Sequence, residues 1–376
     1  MLATIPLSKG PIEYELGILT LHPYPTLVMI VFPLALWRVL RRPAGYGIRG
    51  IEIVLILLTL SFLQSTLLSD TLIISGRLAF HALFIPVLSY FIAKALIKTD
   101  SEYIITINIL VLSILVMSIV ALAKYIETGI RPIVFSIEPI GVASITIVGL
   151  YASIFNSNDW KIIKHIKTLI IGFAFVFSMS RVYLMYAIVS PLIILVIKKN
   201  IILLWILMFT GSLVATLVFT YTIVDYAMVH TSAEGANTLE RMYEVKHFLR
   251  ALIGRAYVYK SALDEFWSNV VFGAGIHAGE MQITTHNFHV EWLQYGGVLG
   301  YILYTSVFML HVKNASTYVK QDGYLLANEV VLLGIMINSI TNGFMHGVIP
   351  YMAFLIMGIS EARISILKKS GAKYNV

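Results

Sequence analysis

Apolar stretches of about 20 residues recur along the whole chain, and this pattern restricts the fold more than any other feature of the sequence. A helix of that length crosses the ~30 Å hydrocarbon core of a bilayer. Charged residues make up 12% of the chain and hydrophobic residues 58%, whereas soluble domains contain about 25% charged residues. The stretches are continuously apolar rather than alternating, which excludes a transmembrane β-barrel. The sequence therefore predicts an all-α, polytopic integral membrane protein.

The chain is interpreted as a single integral membrane domain, residues 1–376, with about 11 (11–12) transmembrane helices. The predicted spans are 18–39, 50–69, 76–97, 103–123, 133–155, 167–180, 182–198, 201–223, 286–311, 324–344 and 347–367. One long segment, 224–285, lies outside the spans and mixes apolar and charged residues at helical spacing. It is predicted to be a helical loop in which Gly254 separates two short helices.

The Lys and Arg residues are distributed unequally between the two sides of the predicted spans. With the N-terminus outside, most of the 27 fall on one side, which the positive-inside rule assigns to the cytoplasm. Segment 224–285 then lies outside. The net charge of +7 is explained as an orientation signal, so neither nucleic-acid binding nor lipid-specific binding is expected of the basic clusters. The absence of Cys excludes disulfides, thiolate metal ligands and a Cys nucleophile.

Two neighbouring spans, 167–180 and 182–198, are too short for full crossings. At 1.5 Å per residue each reaches roughly 20–25 Å, less than the ~30 Å hydrocarbon core. The turn between them is therefore predicted to lie below the outer surface, which places Arg181 at the floor of an outward-facing cavity. A structural salt bridge between Arg181 and Glu138 is the alternative. Arg77, at the start of the third span, is a second candidate at similar depth.

The sequence lacks the motifs of soluble nucleotide-dependent enzymes: it has no P-loop, GxGxxG, HExxH or GxSxG, and no DxD-type acidic cluster. An outward-facing active site has no ATP or nucleotide sugar, so it must use a substrate already activated in the membrane, such as a lipid pyrophosphate. Without a metal, the charge of the departing pyrophosphate requires Arg or Lys. Half of the outward basic residues lie in the long loop: Arg241, Lys246, Arg250, Arg255 and Lys260.

The segment TTHNFHVEWLQYGGVLGY, residues 284–301, is the second informative region. Thr285 is predicted to be the N-cap of the ninth span, with His286 and Asn287 in its first turn. The positive end of a helix disfavours imidazolium, so His286 is expected to be neutral and able to accept a proton from a sugar hydroxyl. The alternatives are that His286 only anchors the helix end, or that a carboxylate, Glu138 or Glu291, is the base. The glycines at 296, 297 and 300 are interpreted as close helix packing.

Residues 178–301 resemble the bacterial O-antigen ligase and O-antigen polymerase superfamily of integral membrane glycosyltransferases. The ligase branch is marked by His, then Asn, Ser or Gln, nine residues, Gly, two residues and usually Gly. His286, Asn287, Gly297 and Gly300 match that pattern in full. Two further elements are similar to the superfamily, namely the Ser180-Arg181 pair and Arg255 ahead of the Gly273-Ala274-Gly275 turn.

The resemblance implies a GT-C-like, metal-independent and inverting enzyme of the bacterial inner membrane with its active site facing the periplasm. It would need no cofactor and would transfer a glycan from undecaprenyl pyrophosphate to a hydroxyl acceptor. By this resemblance Arg181 and Arg255 hold the donor pyrophosphate, and His286 is the catalytic base or supports it. The remaining predicted substrate-binding residues are Arg77, Glu138, Arg250, Tyr259 and Asn287.

Only 30 residues separate Arg255 from His286, a shorter interval than we expect of ligases, and this favours a polymerase that joins lipid-linked repeat units. The resemblance also makes a polysaccharide co-polymerase a plausible partner for control of chain length. A ligase that transfers the glycan to lipid A core is the first alternative. A secondary transporter or lipid-linked oligosaccharide flippase is the second, although the polar residues concentrate on one face and in one external loop, unlike those of transporters.

Overall fold

A computed structural model of the protein describes residues 14–16, 19–41, 50–67, 69, 72–135, 137–155, 160–178, 180–230, 243–275, 285–343 and 348–371. Two three-residue strands, β1 (Tyr14–Leu16) and β2 (Leu19–Leu21), pair antiparallel near the N-terminus. The rest of the regular structure is helical: α1 Pro23–Arg41, α2 Gly50–Leu67, α3 Leu72–Ala79, a π-helical turn Phe80–Phe84, α4 Ile85–Leu96, α5 Asp100–Thr128, α6 Pro139–Phe155, α7 Lys161–Phe177, α8 Arg181–His230, α9 Tyr243–Ser268, α10 Phe288–Ser316, α11 Gly323–Asn342 and α12 Ile349–Lys369.

Eight helical segments of the described chain are long and apolar enough to cross a membrane. They are Pro23–Arg41, Gly50–Leu67, Ser75–Leu96, Asp100–Thr128, Arg181–Ile223, Phe288–Ser316, Gly323–Ile340 and Ile349–Lys369. The other predicted spans are also helical. α6 and α7 have 17 residues each, and the two spans predicted within α8 meet at Asn200, where the helical geometry is interrupted. The prediction of a multi-pass helical membrane protein is confirmed.

The helices are packed as expected for a bundle in lipid. α12 is the most enclosed of these eight segments, since 89% of its apolar 18-residue stretch is buried. In α1, only 22% of the corresponding stretch is buried. Large apolar side chains such as Leu34, Leu60 and Leu192 are more than half exposed, an arrangement suited to lipid rather than to water. At the centre, Gly358 of α12 lets the helix approach α4, because a Cβ there would lie 2.6 Å from the carbonyl oxygen of Tyr90.

Ion pairs join the helix ends that the sequence assigns to the cytoplasm. Arg363 near the end of α12 pairs with Asp322, the N-cap of α11, at 2.7 Å and with Asp100 at the start of α5. Arg38 near the end of α1 pairs with Glu102 of α5 at 3.0 Å. We call this end of the bundle the basic face. α11 begins there, so its last residues lie at the opposite end.

The long loop is more regular than predicted. α8 continues to His230, and α9 runs unbroken from Tyr243 to Ser268, so the prediction that Gly254 divides two helices is wrong. A glycine within a helix costs about 1 kcal/mol relative to alanine, and the packing of α9 against α8 and α10 offsets that cost.

Candidate functional site

A polar cluster made of Asn287, Thr216 of α8 and Tyr259 of α9 lies at the end of the bundle opposite the basic face. Asn287 is its centre. Its Oδ1 caps α10 by accepting hydrogen bonds from the backbone N–H groups of His289 at 3.0 Å and Val290 at 3.2 Å. Its Nδ2 donates to Thr216 Oγ1 of α8 at 3.2 Å and to the Ile340 carbonyl of α11 at 2.8 Å. The amide thus fixes three helices relative to one another, which makes Asn287 a positioning residue.

His286 lies immediately before this cap. The prediction that Thr285 caps the helix, with His286 and Asn287 in its first turn, is wrong: α10 begins at Phe288, and the Asn287 amide both caps it and donates across to α8 and α11. The His286 side chain is exposed, while its two neighbours are buried. Its φ of 50° lies in the left-handed region, which is uncommon for a residue other than glycine and is concentrated at functional sites.

His289, three residues further along, is in a different environment. Its ring is buried, with Nε2 2.6 Å from Ser212 Oγ and Nδ1 2.9 Å from Tyr301 Oη. Both nitrogens are therefore used within the helix bundle, and this residue contributes to packing. His277, whose replacement is expected from the sequence to have a milder effect than that of His286, lies outside the described residues.

Arg255 and Tyr259 occupy successive turns of α9. Tyr259 is buried against Phe219 of α8, with ring centroids 6.1 Å apart, and its hydroxyl forms a hydrogen bond with Asn287. Burial raises the pKa of the Tyr259 phenol, and the nearby Arg255 guanidinium opposes that shift. Arg255 itself is exposed. The side chain of Arg250, earlier on α9, lies outside the described part of the chain.

Arg181 is the first residue of α8. Its side chain is exposed, and the carbonyl of the buried Ser180 before it accepts the first helical hydrogen bond, from Leu184, at 2.9 Å. The alternative salt bridge with Glu138 does not form, and among the described residues Arg181 has no acidic partner. A cation at a helix N-terminus is electrostatically unfavourable, so the local structure alone does not account for this arginine.

The start of α8 is anchored to the same end of α11 as Asn287. Tyr183 is buried, with its hydroxyl 2.8 Å from Ser144 Oγ of α6 and close to Asn338 of α11. Asn338 and Ile340, which binds Asn287, are separated by about 3 Å of helical rise. The elements that carry Arg181, Arg255 and His286 therefore meet around the end of α11.

The two remaining candidates lie on adjoining elements. Arg77 is exposed on α3, which is held to the preceding turn by a 2.7 Å hydrogen bond between Ser69 and Ser75. A Cβ at Gly275, in the loop after α9, would lie 2.8 Å from the carbonyl oxygen of Ser65 in α2 and 3.2 Å from the Cβ of Ser69, so this loop adjoins the end of α2 that precedes α3. Glu138 is exposed immediately before α6. Within the described chain, neither Arg77 nor Glu138 forms an ion pair with the other candidate residues of opposite charge.

A main-chain joint attaches the loop after α9 to α10. At Gly297, with φ 62° and ψ −164°, α10 is interrupted, and the next two N–H groups donate to the carbonyls of Val270 and Val271 at 2.8 and 3.1 Å. The N–H of Ala274 donates to the carbonyl of Gln294 at 2.7 Å. The position of α9 over the polar cluster is thus fixed by backbone atoms.

Close packing, predicted for the three glycines, is confirmed at Gly296 and Gly300, which face the Phe62 ring. Gly297 has the additional role of forming the joint. Its left-handed conformation is essentially restricted to glycine, a fact that the spacing pattern alone did not indicate.

Replacing Gly297 by alanine is expected to open the joint. A Cβ would lie 2.5 Å from backbone atoms of Gly273 and Val271, which cannot move as a side chain can, and the backbone strain adds about 1–3 kcal/mol. We expect rapid limited proteolysis at residues 269–275 and a lower melting temperature. Gly300→Ala is the matched control, because its Cβ would meet only the Phe62 ring edge at 3.3 Å. Equal behaviour of the two variants would contradict this role of Gly297.

Glu291 is a buried carboxylate beneath the cluster, named from sequence only as an alternative base. Its side chain packs directly on Gly343 at the end of α11 and lies close enough to raise the pKa of Tyr259. A carboxylate within an apolar span is itself a signal for function. Because Glu291 is buried and His286 is exposed, His286 is the one of the two that is accessible from outside the bundle.

The fold and this site define a multi-pass helical membrane protein with a polar cluster at one end of the bundle. Within the described residues, no group of three or more His, Asp or Glu side chains is arranged to hold a metal ion. The sequence matches no protein-family model and no curated protein.

Proposed function

We propose that this protein is a membrane glycosyltransferase that polymerises undecaprenyl-pyrophosphate-linked repeat units of O-antigen, or of a related surface polysaccharide. It would act at the periplasmic face of the bacterial inner membrane. The observation that carries this proposal is the meeting of the elements with exposed Arg181, Arg255 and His286 around one end of α11. The resemblance of residues 178–301 to the O-antigen superfamily supplies the reaction class.

The donor pyrophosphate would bind to the two arginines. Arg181 stands at the N-terminus of α8, where the helix dipole and the first N–H groups also attract an anion. Arg255 approaches from α9. Guanidinium groups can hold phosphate oxygens through paired hydrogen bonds, and the charge that develops on the leaving group strengthens those bonds in the transition state.

The acceptor hydroxyl would approach from the side of His286. Its oxygen attacks the anomeric carbon in line with the leaving group, and the bond from that carbon to the pyrophosphate oxygen breaks. The electron pair leaves with undecaprenyl pyrophosphate, the hydroxyl proton passes to the His286 imidazole, and the configuration inverts. A neutral imidazole is required for this step.

Supplying purified protein with lipid-linked repeat units alone tests the polymerase proposal. A ladder of products supports polymerisation, because donor and acceptor are then the same kind of molecule. Products that form only after lipid A core is added support the ligase alternative. Adding a polysaccharide co-polymerase should change product length without being needed for bond formation.

A second candidate function, a transporter or flippase, is favoured by one observation. Buried ionisable residues lie within the spans nearer the basic face: His311 is 2.7 Å from Glu329 and 2.9 Å from Glu361, and Lys94 pairs with Glu52. Such residues often mark transport pathways. The prediction that polar residues concentrate at the external side is therefore incomplete. Flipping or uptake by reconstituted protein without polymer synthesis would favour this candidate.

Polymer synthesis is expected to continue in EDTA. In the proposed site the negative charge of the leaving group is neutralised by guanidinium groups, so chelation should change the rate by less than about twofold. Ladder formation with and without EDTA measures this. Loss of activity that Mg²⁺ or Mn²⁺ restores would contradict the assignment of leaving-group stabilisation to arginine.

A further inference from the structure

An apolar cavity lies between α1, α2 and α4, far from the polar cluster. Its volume is about 540 Å³, and its walls include Leu36, Val39, Ile56, Leu60, Val87 and Phe91. Its rim is open to the membrane, since Leu36 is 45% exposed and Leu60 is 55% exposed. A cavity of this kind within the hydrocarbon region suits a lipid chain better than water, because water has almost no polar partners there.

The cavity extends to the basic face. At that face it is lined by the last turns of α1 and α4 and by the first turn of α2. Glu52 contributes one carboxylate to the wall, but it is buried in an ion pair with Lys94 and accepts a hydrogen bond from Tyr90. The wall is therefore apolar along its length, and its charge lies at one end.

Positive charge accumulates at that end. Lys98, just after α4, donates to the Lys94 carbonyl at 2.8 Å and is half-buried. Burial, followed by the positive charges of Lys369, Lys94 and Arg38, lowers the pKa of Lys98 to about 8, and the Glu102 carboxylate opposes the shift. Lys94 is paired with Glu52 and Arg38 with Glu102, so among Lys98 and these neighbours four cations face two carboxylates, an excess that an anion would stabilise.

An interfacial anchor stands beside this cluster. The Arg41 guanidinium, in the last turn of α1, lies 4.0 Å from the centroid of the exposed Trp37 ring. Tryptophan and arginine at a helix end are typical of the headgroup level of a bilayer. Arg41 directly follows Leu40, which lines the cavity, so it stands at the end of the wall where a headgroup would lie.

We propose that this cavity binds an anionic phospholipid of the leaflet at the basic face. One acyl chain would lie between α1 and α2 against α4, and the phosphate would be held by Arg38, Arg41 and Lys98. The site is separate from the polar cluster, so it does not depend on the proposed glycosyltransferase activity.

Titration of the full chain in a neutral detergent with lipids of identical acyl chains tests this site, with bound lipid counted by native mass spectrometry. We expect phosphatidylglycerol to bind about tenfold more tightly than phosphatidylcholine, because each basic residue near a headgroup adds attraction for an anionic lipid. Arg41→Gln should reduce this preference several-fold. Lys161→Gln, an exposed basic residue at the start of α7, is the charge control and should leave it unchanged.

Two tryptophan substitutions test whether an acyl chain occupies the cavity: Leu36→Trp is the test variant and Leu169→Trp is its control. Leu36 lines the proposed cavity, while Leu169 lines a second lipid-facing cavity between α6, α7 and α8 and is 56% exposed. Leu36→Trp should weaken phosphatidylglycerol binding about tenfold, and Leu169→Trp should not. Both positions are exposed, so folding is expected to persist and is checked by size-exclusion chromatography.

Three outcomes would overturn the proposal. Equal binding of the two lipids would remove the role of the basic cluster. Equal effects of the two tryptophan variants would remove the role of the cavity. Displacement of the lipid by inorganic phosphate at matched ionic strength would mean that the acyl chain contributes nothing.

Discussion

Arg255→Ala and Arg181→Ala are each expected to lower the rate of ladder formation by about 10²- to 10³-fold, while the protein still inserts and accumulates in the membrane. Both side chains are exposed, and neither has an ion-pair partner among the residues that the structure describes, so their loss should not unfold the bundle. The measurement is the initial rate of polymer formation by purified variants on lipid-linked repeats, normalised to folded protein.

Arg131→Ala is the matched control, because Arg131 is also exposed on the predicted outward side but lies between α5 and α6. It should retain the wild-type rate. Lysine at 181 or 255 should restore part of the activity, since it keeps the charge but not the paired hydrogen bonds. A wild-type rate for either alanine variant would show that the arginine concerned does not stabilise the leaving group.

His286→Ala is expected to reduce turnover about 10²- to 10⁴-fold, the range that general base catalysis contributes. Abundance and melting temperature should change little, since the side chain is exposed. The rate measured from pH 5 to 9 on the same lipid-linked substrate tests this expectation.

His289→Ala is the informative comparison. Its ring bonds to Ser212 and Tyr301 are lost, so it should lower the melting temperature while the folded fraction keeps its pH profile. An unchanged rate for His286→Ala would exclude it as the base and direct attention to Glu138 or Glu291. Glu291→Gln would then distinguish them, because it preserves the volume packed against Gly343.

The helices were predictable because the property that defines them is local. A run of apolar residues identifies a membrane-spanning helix regardless of what it packs against, and the predicted spans lie largely on helical residues, although two of them share α8. The choice between Thr285 and Asn287 as N-cap was not local. It depends on Thr216 and Ile340, which are 71 and 53 residues away from Asn287.

The same reason explains the other differences. The sequence showed the glycine spacing, but not that the two N–H groups after Gly297 would donate to the loop after α9. It also did not show that the Gln294 amide would donate to the Glu265 carboxylate at 2.6 Å. The buried contact of His311 with Glu361 joins residues 50 apart on two spans. Each of these contacts is a property of helix packing, which hydropathy does not encode.

The joint at Gly297 is made of main-chain atoms, and this has a consequence for how such a protein can diversify. Hydrogen bonds between peptide groups are indifferent to the side chains at Val270, Val271 and Ala274. The side chains at those positions and on the outer surface of α9 can therefore vary while α9 keeps its position against α10. If the proposed glycosyl transfer takes place at this site, exchange of these side chains alone is a route to a new sugar preference that leaves the membrane bundle intact.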